Sequence, residues 1–426
     1  MKRVKYLIIG AGISGLTFAG AVETENSGDY LIVEKENEIG GYCRTIKKDG
    51  FVWDYAGHFF HFKTDEYREL FKRSIPAEDI IRKDKCTKII YKDLLVDYPF
   101  QTNIHQLDKD EFIDCLYDLF NKEEKEEYSS FLDMLYGKFG VSITEKFLRP
   151  YNEKLYAVDL TTLDKDAMGR FFPYADKEQI IKNMKKSGDS SSYNNKFLYP
   201  RNGAGSFIDV IYNGVDKERV RLGCEVTGID TDKKVATLSD GETVEYEYLI
   251  NTSPFNMFLR LTGDDVFSSL ADRLSYNKVL VFNLGFDKKS HFTNEHWMYI
   301  PDKSVNYYRI GFYDNILDDD RLSMYIEIGY SKDAEIDAEG QLELTLVNLK
   351  KQGIIDETFN LVSYETIIMD PAYVHISTES EQDVDDAMEK LEGLGVYSIG
   401  RYGGWTYCSM EDSMIKAASL AAKLKD

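Results

Sequence analysis

Three glycines and an acid carry the first legible chemistry in the chain. Gly10, Gly12 and Gly15 follow the apolar run Tyr6-Leu-Ile-Ile9 and lead into a helix-like pattern from Leu16. This G-x-G-x-x-G order suits a pyrophosphate. One glycine makes a tight turn, one lets the backbone approach the phosphates, and one lets the helix pack on the strand. The helix N-terminus adds unpaired N–H groups for the anion. A second apolar run, Tyr30 to Val33, ends in Glu34, about 20 residues past the last glycine, where an acid meets an adenosine ribose. Gly40 and Gly41, with Arg44 just after them, read as backbone wrapped around a diphosphate with an arginine as counter-charge. Gly203 lies in a glycine-rich loop after Phe197-Leu-Tyr-Pro, and Gly400-Arg401 follows the apolar run from Val396. That second strand–glycine–helix start offers another helix N-terminus to a cofactor.

These residues need a strand–turn–helix–strand unit to hold them, so the first 35 residues or so read as a Rossmann-like βαβ start. The basic Met1-Lys-Arg-Val-Lys5 before an apolar run could pass for a secretory signal. Three glycines inside that run argue against it, as does the otherwise unexplained Glu34. Lys85 to Val96 alternates like a strand and leads to Tyr98-Pro-Phe100-Gln101. Leu107 to about Lys146 is rich in helix formers, with Phe112, Cys115, Leu116 and Leu119 at helical spacing. Lys185 to Asn195 is polar and aperiodic and reads as a surface loop. Val220 to Asp240 reads as a hairpin. Val279–Phe286, Trp297–Pro301, Tyr307–Tyr313, Met324–Ile328 and Thr366–Ile376 read as strands of a second, mostly antiparallel sheet, and Met410–Leu424 as a terminal helix.

Composition narrows the class. The 426 residues allow two or three domains, and 43% hydrophobic content with no membrane-spanning run describes a soluble globular protein, expected in the cytoplasm. A net charge of −22 speaks against nucleic acid or an anionic membrane as partner. Five cysteines without C-x-x-C spacing read as reduced thiols. His58 and His61 lack an acid or cysteine partner, so no metal site is expected. Thirty tyrosines supply flat faces and hydroxyls, which suit a polar ring ligand.

The order G-x-G-x-x-G, acid, G-G, then Phe51-Val-Trp-Asp54-Tyr-Ala-Gly57-His58 resembles the FAD proteins that include amine oxidases, protoporphyrinogen oxidases and UDP-galactopyranose mutases. Tyr98-Pro-Phe-Gln101, Arg149-Pro-Tyr-Asn152, Tyr156, Arg170, Trp297-Met-Tyr299, Tyr307-Tyr-Arg309, Tyr373 and Gly400-Arg401 to Tyr407 then resemble the mutases, the eukaryotic-type branch above all. The likeness runs from about Lys5 to Tyr407.

It implies an α/β fold: a Rossmann-like FAD-binding domain, a helical insertion domain and a second, mostly antiparallel β-sheet domain. The expected boundaries are 1–95, 197–262 and 390–426 for the first (50–100 partly shared with the sheet domain), 104–196 for the helices and 263–389 for the sheet. It implies FAD bound by Gly10, Gly12, Gly15, Glu34, Gly40, Gly41, Arg44, His58, Gly203, Val226, Gly400 and Arg401.

The implied activity interconverts a UDP-hexopyranose and a UDP-hexofuranose, galactofuranose for polysaccharide biosynthesis in the family, with reduced FAD as nucleophile and no net redox change. Arg170 and Arg309 would clamp the diphosphate, with His58 beside the flavin. Tyr98, Phe100 and Gln101 would surround the uridine. Asn152, Tyr156, Trp297, Tyr299, Tyr373 and Tyr407 would line the rest of the substrate site. A solvated ion pair is the usual fate of an arginine, but Arg309 lies in the aromatic run Asn306-Tyr-Tyr-Arg-Ile-Gly-Phe312. Two departures bear on the sugar: Tyr156 stands where the family has tryptophan, and Cys408 to Asp412 lacks the branch's Gly-Asn-Gln. The resemblance implies a reductant such as NAD(P)H, with Arg401 and Lys85 as candidates for a transient contact. The rival reading is an amine or porphyrinogen oxidase on the same cofactor domain.

Overall fold

A computed structural model describes residues 2–26, 28–169, 172–185 and 196–425. Arg170 and the stretch 186–195 of the expected surface loop lie outside the described residues.

Strand Lys2–Ile9 runs parallel between Thr243–Asn251 and Tyr30–Val33. Leu7, Ile8, Ile32, Leu249 and Ile250 are fully buried, as near-continuous apolar runs must be when helices cover both faces of a parallel sheet. One face packs Ile8 and Ile250 on Leu16, Phe18, Met414 and Ala417 of helices Ile13–Asn26 and Met410–Lys423. The other packs Leu7 and Leu249 on Phe255, Leu270 and Leu391, from helices Phe255–Leu261, Asp265–Arg273 and Thr378–Gly393. Val226–Asp230 and Val235–Leu238 extend the sheet antiparallel at one end. Val220–Arg221 and Val396–Ser398 join it parallel. The expected hairpin from Val220 to Asp240 is thus a short strand paired with Tyr30–Val33, followed by the hairpin Val226–Asp230 and Val235–Leu238.

The second seven-stranded sheet runs in the order Leu361–Val374, Tyr276–Phe286, Ser323–Ser331, Arg309–Phe312, Trp297–Tyr299, Thr87–Tyr91, Leu94–Asp97. It is antiparallel except where Trp297–Tyr299 meets Thr87–Tyr91. The expected strand Tyr307–Tyr313 is shorter, because Tyr313 already opens the helix Tyr313–Leu317.

Helices Lys109–Asn121, Phe131–Ile143 and Arg149–Tyr156 gather around Phe100, Leu119, Phe131, Leu135 and Phe139. The helix-rich stretch from Leu107 to Lys146 breaks after Asn121, and Ser130 restarts it as an N-cap accepting from the Asp133 N–H. Lys154 fastens Arg149–Tyr156 to the second sheet by donating to the carbonyls of Ile300, Asp302 and Tyr307 at 3.0, 2.8 and 2.5 Å.

Asp54 links the two sheet systems. Its buried carboxyl accepts from Thr45 Oγ1 (2.6 Å), Tyr199 OH (2.8 Å) and the Ala204 N–H (3.0 Å). Its carbonyl accepts from Asn283 Nδ2 of the second sheet (3.0 Å). Burial pushes the carboxyl up to about 7. The chain leaving this knot carries Gly57 and His58 to the junction of the sheets.

Candidate active site

The glycine turn has the shape its spacing implies. Gly10 adopts φ +99°, open to glycine but strained for other residues, and its N–H donates to Val33 O at 2.9 Å. A Cβ on Gly15 would stand 2.1 Å from Gly10 O, so only glycine lets the helix sit this close to the strand end. A Cβ on Gly12 would meet no protein atom within 4 Å. Space reserved beside a bare backbone at a helix start fits a pyrophosphate.

Gly40 closes over this turn, donating to Ala11 O at 2.8 Å and bridging to Gly12. Arg44 donates to the carbonyls of Ile39 and Glu38, both at 3.2 Å, and stacks on Tyr55. Its guanidinium therefore braces the glycine loop. Glu34 is buried at 8% exposure, accepting from the Ala11 N–H at 2.7 Å and the Glu36 N–H at 3.0 Å. Gly41 lies against Gly12, Gly203 against Thr45 and Gly400 against Ser14 of the first helical turn. Val226 turns its side chain into the core with Ile9, Val33 and Leu238. A strand, a glycine turn, a ribose-spaced acid and a braced loop thus surround one cradle that fits FAD.

Beside the cradle, His58, Arg309 and Arg401 gather among tyrosines. His58 Nδ1 lies 2.9 Å from Ala56 O. A carbonyl only accepts, so Nδ1 carries the proton and Nε2 keeps its lone pair. Burial, with the Arg401 and Arg309 charges adding to it, pushes His58 down to about 4, so the ring is neutral. Arg401 lies 5.0 Å from the Tyr407 ring and 5.5 Å from Tyr373, donating to Cys408 O at 3.2 Å.

Arg309 donates to Tyr325 OH at 2.8 Å and lies 3.7 Å from Glu327. Its Nε–H is buried without a partner. Tyr299 is its cross-strand neighbour, and the Tyr299 ring stands 5.0 Å from Tyr98 and 5.1 Å from Tyr151.

His58, Tyr98, Tyr299, Arg309, Tyr373, Arg401 and Tyr407 are all half-buried. Five expected site residues are deeper. Phe100 is fully buried and stacks on Phe147. Tyr156 is fully buried among Phe131, Tyr373 and Tyr407. Trp297 is 4% exposed and stacked on Phe59 at 5.0 Å. Gln101 donates to Pro173 O but leaves Oε1 unpartnered, and Asn152 donates to Leu148 O at 2.6 Å but leaves Oδ1 unpartnered. Buried acceptors and donors with open valences mark a polar ligand site.

Sequence reasoning missed Tyr325 and Glu327. They reach Arg309 from the next strand, Ser323–Ser331, whose register pairs Arg309 with Glu327 and Gly311 with Tyr325. Their alternation along Met324 to Ile328 was the available signal. Among the described residues, no cluster of His, Cys, Asp or Glu could hold a metal ion.

This fold and cradle define a flavin-dependent enzyme of the Rossmann-like class. The family model for flavin-containing amine oxidoreductases matches residues 13–364, and the chain belongs to that family. A structure of reduced UDP-galactopyranose mutase superposes with a TM-score of 0.93 and 25% identity, covering 99% of this chain and 93% of that one. A putative protoporphyrinogen oxidase from Exiguobacterium sp. gives 0.78 at 16% identity, covering 99% and 98%, which speaks for the fold. In sequence alone, 68 residues are 35% identical to a 4,4'-diapophytoene desaturase of Staphylococcus aureus. That match spans 16% of this chain and 13% of the desaturase.

Proposed function

We propose that the chain is a flavin-dependent isomerase that interconverts a UDP-hexopyranose and a UDP-hexofuranose, with UDP-galactose as the first substrate to test. The observation that carries the reading is Arg309: a guanidinium among tyrosines, with an open Nε–H, beside the FAD cradle. A planar guanidinium in a water-poor site suits a diphosphate better than an amine or a porphyrinogen. The superposition with UDP-galactopyranose mutase over nearly the whole chain supports the same choice.

Bound and reduced, FAD would supply the nucleophile for the anomeric carbon, so that no electrons are consumed overall. The chain's residues would do the rest. Arg309 and Arg170 hold the diphosphate while it is detached from the sugar, keeping it in place to return. Neutral His58 offers an acceptor at Nε2 without adding a charge to the flavin side. Tyr98 and Gln101 form the uridine end. Tyr299, Tyr373 and Tyr407 exclude water while the sugar ring opens and recloses through its other hydroxyl.

The proposed domain division is a cradle domain of 1–95, 197–262 and 390–426, with 50–100 partly shared with the sheet domain, a helical domain of 104–196 and a substrate-sheet domain of 263–389. A cytoplasmic location and NAD(P)H as electron source complete the proposal. No helix among the described residues is long and apolar enough to cross a membrane.

The test is a panel of nucleotide sugars offered to dithionite-reduced enzyme, with products separated by chromatography. UDP-galactopyranose and UDP-galactofuranose are expected to interconvert. Oxidation of a polyamine or porphyrinogen by the oxidised enzyme, with none of the panel converted, would replace this reading with the oxidase one.

A further inference from the structure

Lys85 stands beside the Arg309 cluster without a counter-ion. Its ammonium lies 5.3 Å from the ring centroids of both Tyr98 and Trp297. The charge acting on it is that of another cation, Arg309. Among the described residues no carboxylate pairs with it and no acceptor takes its three donors. The other interior cations are answered. Lys154 has three carbonyls, Arg44 two, Arg401 the carbonyl of Cys408, and Arg309 has Tyr325 and Glu327. Attraction to two ring faces offsets only part of the desolvation of an ammonium. A half-buried cation left in this state points to an anion that arrives from outside.

The base of the side chain is fixed while its tip is free. The adjoining Cys86 exchanges two hydrogen bonds with His296: its N–H donates to His296 Nδ1 at 3.0 Å, and its carbonyl accepts from the His296 N–H at 2.9 Å. A four-carbon stem on an anchored backbone can follow a moving phosphate, which a rigid guanidinium fork does less well. Arg309 Nε–H is likewise a donor without a partner.

We propose that Lys85 is a further cation of the diphosphate clamp, binding the diphosphate of a nucleoside diphosphate sugar between the Tyr98 and Trp297 rings and alongside Arg309. The inference rests on the UDP-sugar reading and adds a ligand residue to it.

Calorimetric titration of UDP and of uridine into oxidised, FAD-loaded enzyme tests it, with flavin absorbance confirming that each variant is folded. Lys85→Met is expected to bind UDP about tenfold more weakly or worse, the scale of one charged hydrogen bond lost, and to bind uridine as wild type does. Lys85→Arg should recover most of the loss. UDP binding unchanged in Lys85→Met overturns the inference and leaves the UDP-sugar reading standing. Equal weakening of UDP and uridine assigns Lys85 a packing role and also overturns it. Wild-type enzyme that takes up no UDP at millimolar concentration removes the UDP-sugar reading, and this inference with it.

Discussion

Arg309 keeps its charge in a place where arginines are seldom found. Burial opposes that charge, but Glu327 and the surrounding tyrosine hydroxyls hold its guanidinium well above the usual range. Under the proposed function, Arg309→Ala should lower kcat/KM by at least about 100-fold, the scale of losing one preorganised charge-stabilising donor, while flavin content stays near wild type. Steady-state assays beside flavin absorbance check this, and parallel loss of flavin would assign Arg309 to the scaffold instead.

Lys85 gives the site a pH dependence. Burial first, and the Arg309 charge second, push it down to about 8. The groups facing it do not titrate in the same range: His61 is pushed down to about 4, Tyr98 and Arg309 are raised well above their ordinary values, and Trp297 does not titrate. The protonated form binds an anion, so UDP affinity should fall as pH rises through about 8. In Lys85→Arg that fall should vanish, and titrations between pH 7 and 9 would show it. Arg309 was legible in the sequence because it interrupts an aromatic strand. Glu327 and Tyr325 were not: they alternate along Met324 to Ile328, but which strand they face is set by cross-strand register between distant segments, which the alternation does not carry. Phe100 and Tyr156 show the converse limit, since an aromatic residue reads alike whether it faces a ligand or a core.

At the scale of elements, the glycine turn separates binding from folding. Gly12→Ala adds a methyl where no protein atom lies within 4 Å, whereas Gly15→Ala sets one 2.1 Å from Gly10 O. The first variant is expected to melt near the temperature of the wild-type apoprotein and lose FAD. The second should lose both stability and FAD. Thermal melts with flavin release distinguish the two, and normal FAD retention in Gly12→Ala would move the pyrophosphate elsewhere.

The helix Arg149–Tyr156 depends on a different device. Lys154→Met removes three hydrogen bonds to carbonyls of the connection between strands Trp297–Tyr299 and Arg309–Phe312, and should cost about 1–3 kcal/mol of stability from the acceptors left behind, seen as a lower Tm. The glycine turn was readable because each of its requirements is local to a few residues. The break between Asn121 and Phe131 was hidden within a helix-rich composition, and only the Ser130 cap marks it. The long alternating strands kept their identity but shifted their ends, as with Tyr313, where tertiary contact and not propensity decides the boundary.

Across the whole molecule, a chain of net charge −22 gathers Arg309, Arg401 and Lys85 where two sheets meet. The fold class was legible because two periodicities and a glycine fingerprint each demand a definite layer. The site was legible only through the order of motifs spread from Tyr98 to Tyr407, since no one segment builds it. What separates an isomerase from an oxidase on this scaffold is whether electrons are consumed. The most direct measurement is therefore anaerobic incubation of dithionite-reduced enzyme with UDP-galactofuranose, following both product and flavin absorbance. The account expects many turnovers to UDP-galactopyranose while the flavin stays reduced and no reductant is used in proportion to product. Turnover only by the oxidised enzyme, with peroxide formed, would contradict it.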